Sequence, residues 1–131
     1  MKKLLTVAAI LFCIGCSAQT VISTDTVHFV QFDSVSMEWE DQVEPWLSPC
    51  IMEFNEKWTV LLHTCEDITS TYYLKDKQGD LVKDGYLIFN SVSDAGGKYK
   101  LIIGKRMVFM YDQDGNTGIF YEIKSFIRNG K

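Results

Sequence analysis

Residues 98–124 read KYKLIIGKRMVFMYDQDGNTGIFYEIK, and this stretch decides the fold. Tyr99, Leu101 and Ile103 alternate with Lys98, Lys100 and Ile102, which is the period of a strand. Gly104-Lys105 then puts glycine at the first central position of a type II′ turn, and Asp114-Gly115 is a strong hairpin signal. Between and after the turns lie two more strands, Arg106 to Tyr111 and Thr117 to Lys124. With the turns centred there, Leu101 faces Val108, Tyr99 faces Met110, Met110 faces Ile119 and Val108 faces Tyr121. One face then collects Tyr99, Leu101, Ile103, Val108, Met110, Ile119, Tyr121 and Ile123. A one-residue slip at either turn would mix the faces. The other face carries Lys98, Lys100, Ile102, Met107, Phe109, Tyr111, Phe120 and Glu122, with Lys100 opposite Phe109 and Lys98 opposite Tyr111. That face is neither plain core nor plain surface. Phe109, Tyr111 and Phe120, with Lys100, mark a second packed layer or a ligand-binding face.

Upstream, the same pattern predicts strands over Val27 to Phe32, Val35 to Trp39, Lys57 to Thr64, Thr69 to Leu74 and Gly85 to Ser91. In Lys57 to Thr64 the apolar side is Trp58, Val60 and Leu62. Asp33-Ser34 reads as a bend, Gln78-Gly79-Asp80 as a turn, and Ala95-Gly96-Gly97 as a connection. Glu40 to Cys50 holds both prolines, Pro45 and Pro49, and reads as a loop with room for one helical turn. No long helical period appears. The expectation is one all-β domain, an antiparallel meander of about six to eight strands forming a small barrel or a strongly twisted sheet.

The chain has 131 residues, 47% of them hydrophobic, with a net charge of −4. That is one domain, too apolar to be disordered and not basic enough for nucleic-acid binding. Its start reads as an export signal: Lys2 and Lys3, the uncharged run Leu4 to Ile14, then Gly15, Ser17 and Ala18. The run falls short of the roughly 20 residues of a membrane span. The expected division is residues 1–18 as signal peptide and 19–131 as a single β domain in the periplasm or outside the cell. Two processing routes stay open: cleavage after Ala18, or lipidation of Cys16, because Gly15-Cys16-Ser17 resembles the end of a bacterial lipoprotein signal. Cys13 stands where that signal carries Leu. Lipidation would anchor the chain to a membrane surface without spanning it.

Two cysteines remain after processing, Cys50 and Cys65, and an oxidising compartment predicts a disulfide between them. A two-residue turn at Asn55-Glu56 conflicts with it. That turn sets Cys50 opposite Leu61, about 13 Å along the strand from Cys65. One of the two expectations must fail.

Without Lys2 and Lys3 the mature chain has 11 basic and 17 acidic residues, net −6. From Gln19 to Asp67 there are ten acidic residues and one basic residue, Lys57; from Ile68 to Lys131 there are seven acidic and ten basic. Oppositely charged segments that neighbour each other would account for this. The alternative is an acidic surface that steers a cationic protein partner, made of Glu38, Glu40, Asp41 and Glu44 with Trp39 and Trp46.

No spacing carries catalysis: the elbow, metalloprotease, phosphate-loop and dinucleotide signatures are missing. His28 and His63 sit in strand-like segments without a second ligand at metal spacing, so no metal, cofactor or catalytic residue is assigned. Asp112-Gln113-Asp114-Gly115-Asn116 starts like a calcium loop, but Thr117 and Ile123 stand where that loop needs Gly and Glu.

The export signal, the meander and the closing strand Gly118-Ile-Phe-Tyr-Glu-Ile-Lys124 resemble small exported β proteins of Gram-negative bacteria and a reduced lipocalin-like barrel. The resemblance implies a fold class and a compartment and carries no site residues over. The function expected is non-catalytic binding of a small apolar ligand or envelope component. The alternative is a protein–protein inhibitor or immunity-type factor using the acidic, Trp-containing surface. A hydrolase would need a cleft where His28 or His63 meets a carboxylate.

Overall fold

The computed structural model describes residues 20–113 and 115–128; the expected export segment 1–18 and Cys16 lie outside the described residues. The described chain is all β: β1 (Thr20–Asp33), β2 (Glu38–Asp41), β3 (Trp46–Phe54), β4 (Val60–Cys65), β5 (Ile68–Gln78), β6 (Tyr86–Ser93), β7 (Lys98–Gly104), β8 (Met107–Asp112) and β9 (Thr117–Arg128). Sequential antiparallel pairing runs from β3 to β9, and β9 returns to pair with β1 from Thr20 to Gln31. Eight strands thus close a barrel, which removes the open edges of a sheet. β2 is extra. β9 occupies one edge of β1, so β3 (on Thr20 to Val27) and β2 (on Val30 to Asp33) must share the other edge.

The barrel is filled by one face of each strand. Ile22, Met52, Phe54, Leu61, Phe89, Leu101, Ile103 and Val108 are fully buried. All eight residues expected on the inner face of the last three strands belong to this core or pack against it. The Asp114-Gly115 hairpin has the expected register, with Met110 opposite Ile119 and Val108 opposite Tyr121. The preceding hairpin does not. Ile103 pairs with Val108 and Leu101 with Met110, so the turn is Lys105-Arg106 and Gly104 stays in the ladder, opposite Tyr86. The shift is two residues, one full period of the pleat, so both faces survive it. Lys100 consequently lies opposite Tyr111, not Phe109.

The conflict over the cysteines resolves in favour of the disulfide, and Cys50 is bonded to Cys65. Their Cα atoms are 4.3 Å apart across the β3–β4 ladder, where Phe54 pairs with Leu61. Asn55-Glu56 is therefore not a two-residue turn. Asn55 organises a longer loop: its Oδ1 accepts hydrogen bonds from the backbone N–H of Thr59 (2.8 Å) and Val60 (3.0 Å). Trp58 takes a left-handed φ of 58° and turns inward onto Phe54 and Phe89. That kink resets the alternation of β4, so Leu61 and His63 point inward and not Val60 and Leu62. The expected loop Glu40 to Cys50 is also partly strand. Pro45 precedes β3, and Pro49 falls where the β1–β3 register jumps from Thr24–Cys50 to Thr26–Leu47, a bulge that tolerates its missing N–H. Residues Val35 to Met37, expected to begin a strand, instead continue the turn entered at Ser34 and capped by Asp33, whose Oδ1 accepts from the Val35 N–H at 2.9 Å.

Candidate functional site

Strands of a filled barrel turn every second side chain outward. On β1, β8 and β9 these are not all polar. The ladders align His28 with Phe120 and Phe109, and Val30 with Gly118 and Tyr111. Gly118 keeps this row low: a Cβ there would lie 2.8 Å from Phe109 Cε1 and 2.9 Å from Tyr111 Cβ. Trp39, opposite Phe32 on the far edge of β1, reaches across this row. Its ring centroid is 5.0 Å from Phe109, 5.5 Å from Tyr111 and 5.3 Å from Phe32. Val30 is 5% exposed yet stands apart from the interior core, because it is covered from outside. The result is a second, external apolar layer with a cleft of about 370 Å³, lined by His28, Val30, Trp39, Asp41, Met107, Phe109 and Phe120. That size and mostly apolar lining suit a small ligand.

The polar end of the cleft is His28. Its Nδ1 is 3.1 Å from Asp41 Oδ1 and its Nε2 is 2.7 Å from Glu122 Oε2, while the ring stacks on Phe120 at 5.0 Å. Burial alone would lower its pKa; the hydrogen bonds and charges of Glu122 and Asp41 outweigh burial and raise it. A histidine meeting a carboxylate in a cleft, the arrangement a hydrolase would need, is present at His28, where each ring nitrogen faces a carboxylate. His28 works as a clamp that ties β2 and β9 to β1. His63 is the opposite case. It lies inside, edge-on to Tyr121 at 5.2 Å, and burial pushes its pKa down to about 4.

Two residue sets that read as separate in the sequence converge here. Phe109 and Phe120 line the cleft with Trp39 and Asp41, and Tyr111 backs the Trp39 ring. Lys100 flanks Tyr111 on β7 without lining the cleft. Alternation on β2 sends Glu38 and Glu40 the other way, where Glu40 accepts a hydrogen bond from Ser36 at 3.4 Å. Glu44 is exposed in the connection to β3, and Trp46 is exposed on β3. Missed in the sequence were His28, Val30 and Met107 as members of the cleft, and Glu122 as the carboxylate that holds His28. The Asp114-Gly115 register places Glu122 beside Met107, but His28 needs the closure of β9 onto β1, which no local signal encodes. Among the described residues no Lys or Arg comes within 4.0 Å of the carboxylates of Glu38, Glu40, Asp41 or Glu44, and Asp41 pairs with His28. Comparison with protein-family models, curated proteins and solved structures finds no match for this chain.

Proposed function

We propose that this protein is a non-catalytic binding module that takes a small apolar ligand, or the apolar part of an envelope component, in the external cleft beside Trp39, Phe109 and Phe120. The observation that carries the reading is the cleft itself: aromatic rings built onto the outside of a barrel whose inside is already filled. Burying such a surface under a ligand is favourable at roughly 25 cal/mol per Å². The protein acts after export, a placement supported by the N-terminal charge and apolar pattern and by a disulfide of the kind that persists outside the cytosol. The lipocalin-like likeness belongs to this reading as an analogy of shape alone.

A second reading rests on the acidic segment. Among the described residues β2 pairs only with β1, so its other edge and the exposed Glu38, Glu40 and Glu44 offer a docking line for a cationic protein segment, with Trp46 beside it.

One titration separates the two. N-phenyl-1-naphthylamine, a neutral apolar fluorophore, is added to wild type, Trp39→Ala and Phe109→Ala. Cleft binding predicts enhanced, blue-shifted emission, with affinity about tenfold weaker in each variant, the equivalent of 1.4 kcal/mol. No enhancement with wild type, or equal affinity in all three, overturns the cleft reading and leaves the acidic edge.

A further inference from the structure

A second group of chemistry-bearing side chains lies on the inner face, remote in role from the cleft. Cys50 and Cys65 face each other on β3 and β4. His63 stands two residues before Cys65, on the same strand, and its Nε2 is 3.3 Å from Cys65 Sγ. One donor atom from each of the three residues lies within 4.8 Å of the other two. Thiolates bind Zn²⁺ at about 2.3 Å and imidazole at about 2.0 Å, so donors this close need only small rotations to share one ion. An independent observation sits beside them. Thr24 Oγ1 is buried and has no hydrogen-bond partner among the described residues, and Thr24 is the ladder partner of Cys50 on β1. A buried orphan hydroxyl carries a desolvation penalty, which a metal-bound water would relieve.

We propose that, once its disulfide is reduced, the chain holds a thiophilic cation of the Zn²⁺ class through Cys50 Sγ, Cys65 Sγ and His63 Nε2, and releases it when a small-molecule disulfide takes two electrons from the two thiolates, is itself cleaved to two thiolates, and leaves the Cys50–Cys65 bond re-formed. Two thiolates and one imidazole, with one position left for water, form a recognised tetrahedral zinc set. The site is closed while the S–S bond stands, because a disulfide sulfur has no charge to offer. Any thiol or phosphine reductant opens it. With a trialkylphosphine, the S–S bond breaks, phosphorus is oxidised to the phosphine oxide with oxygen from water, and the two water hydrogens protonate the sulfurs. Zn²⁺ then displaces those two protons to solvent.

The test uses the whole protein, oxidised or reduced with a phosphine, with Co²⁺ as the spectroscopic probe and Zn²⁺ as competitor. The expected result is a thiolate-to-cobalt charge-transfer band with tetrahedral d–d absorption in the reduced protein alone, bleached by one equivalent of Zn²⁺. His63→Gln should weaken Zn²⁺ binding about tenfold or more, the range for disturbing a ligand set. If reduction alone loosens the fold, Zn²⁺ but not Mg²⁺ should restore the near-UV circular dichroism. Equal cobalt spectra in the oxidised and reduced proteins, unchanged affinity in His63→Gln, or failure of Zn²⁺ to restore a loosened fold would each overturn the proposal.

Discussion

Phe120 and Tyr121 are neighbours in sequence and look in opposite directions. Phe120 stacks on His28 outside the barrel wall, and Tyr121 meets His63 edge-on inside it. The two regions use similar residues for different ends. Inside, aromatic and aliphatic side chains exclude water around His63, which has no carboxylate partner among the described residues, so its neutral form is favoured. Outside, the rings rest on a wall that does not need them for closure, and His28 sits between two carboxylates that favour its proton. The difference teaches that aromatic content does not mark core in this chain. What separates core from site is which side of the pleat a residue takes, and whether acids are brought to it from other strands.

The sharpest way to break the comparison is to remove one ring from each side. Phe89 is fully buried in the interior and touches Trp58. Phe89→Ala should destabilise the protein by about 3–5 kcal/mol, the cost of a large core cavity. Phe109→Ala opens no closed cavity and should cost about 1–2 kcal/mol, although it weakens probe binding. Urea unfolding of both variants checks this. Equal losses would mean that the outer layer is structural core and that the binding reading is wrong.

The next effect is the acid limb of stability. In the disulfide-bonded protein His63 has a pKa of about 4, against 6.5 when unfolded. Around it stand Tyr72 of β5 and Tyr121 of β9, both uncharged at acid pH, and its ladder partners Met52 and Ser70. Below pH 6.5 the unfolded chain takes up a proton that the folded one refuses. The contribution is intact above pH 6.5 and is lost as pH falls toward 4, by about 3 kcal/mol in total. Unfolding midpoints between pH 7 and 4 should fall steeply in wild type and less in His63→Gln. Parallel curves would show that His63 is not the buried neutral group described here.

Much of this was legible in the sequence, and the limits are physical. Period-two patterning fixed the inner face of the last three strands even where the Gly104 turn was misplaced, because a two-residue shift preserves the pleat's phase. The disulfide followed from compartment and cysteine count, while the Asn55 loop that permits it did not. A left-handed tryptophan at position 58 runs against residue preference, and it is held by packing on Phe54 and Phe89 and by its N–H bond to the Asn55 carbonyl at 3.1 Å. Part of the cleft, Phe109 and Phe120, with Tyr111 behind the Trp39 ring, stood out as apolar residues on the wrong face of a meander. The rest needed two long-range events: β9 closing on β1, 94 positions apart at His28 and Glu122, and β2 laying Trp39 against Phe109 and Tyr111. Neither is written into local propensity.

The smallest effect belongs to the His28 clamp, and it runs opposite to that of His63. Its pKa is raised in the folded state: burial works against the proton, but the hydrogen bonds and charges of Glu122 and Asp41 prevail. As an imidazolium it donates Nδ1–H to Asp41 and Nε2–H to Glu122. Once neutral it keeps one N–H, and the other nitrogen turns a lone pair toward a carboxylate. The contribution is therefore complete below the unfolded value of about 6.5 and is lost as pH rises through the raised folded value. Asp41 and Glu122 are 45% and 50% exposed, so solvent and salt screen much of the gain. Because Asp41 is the end of β2, the loss should be local and should register first in Trp39. Raising pH from 6 to 9 in low salt should shift the tryptophan emission of wild type and loosen apolar-probe binding. His28→Asn and wild type in high salt should respond weakly. A wild-type response that survives both changes would assign the pH dependence elsewhere and leave His28 a packing residue on Phe120.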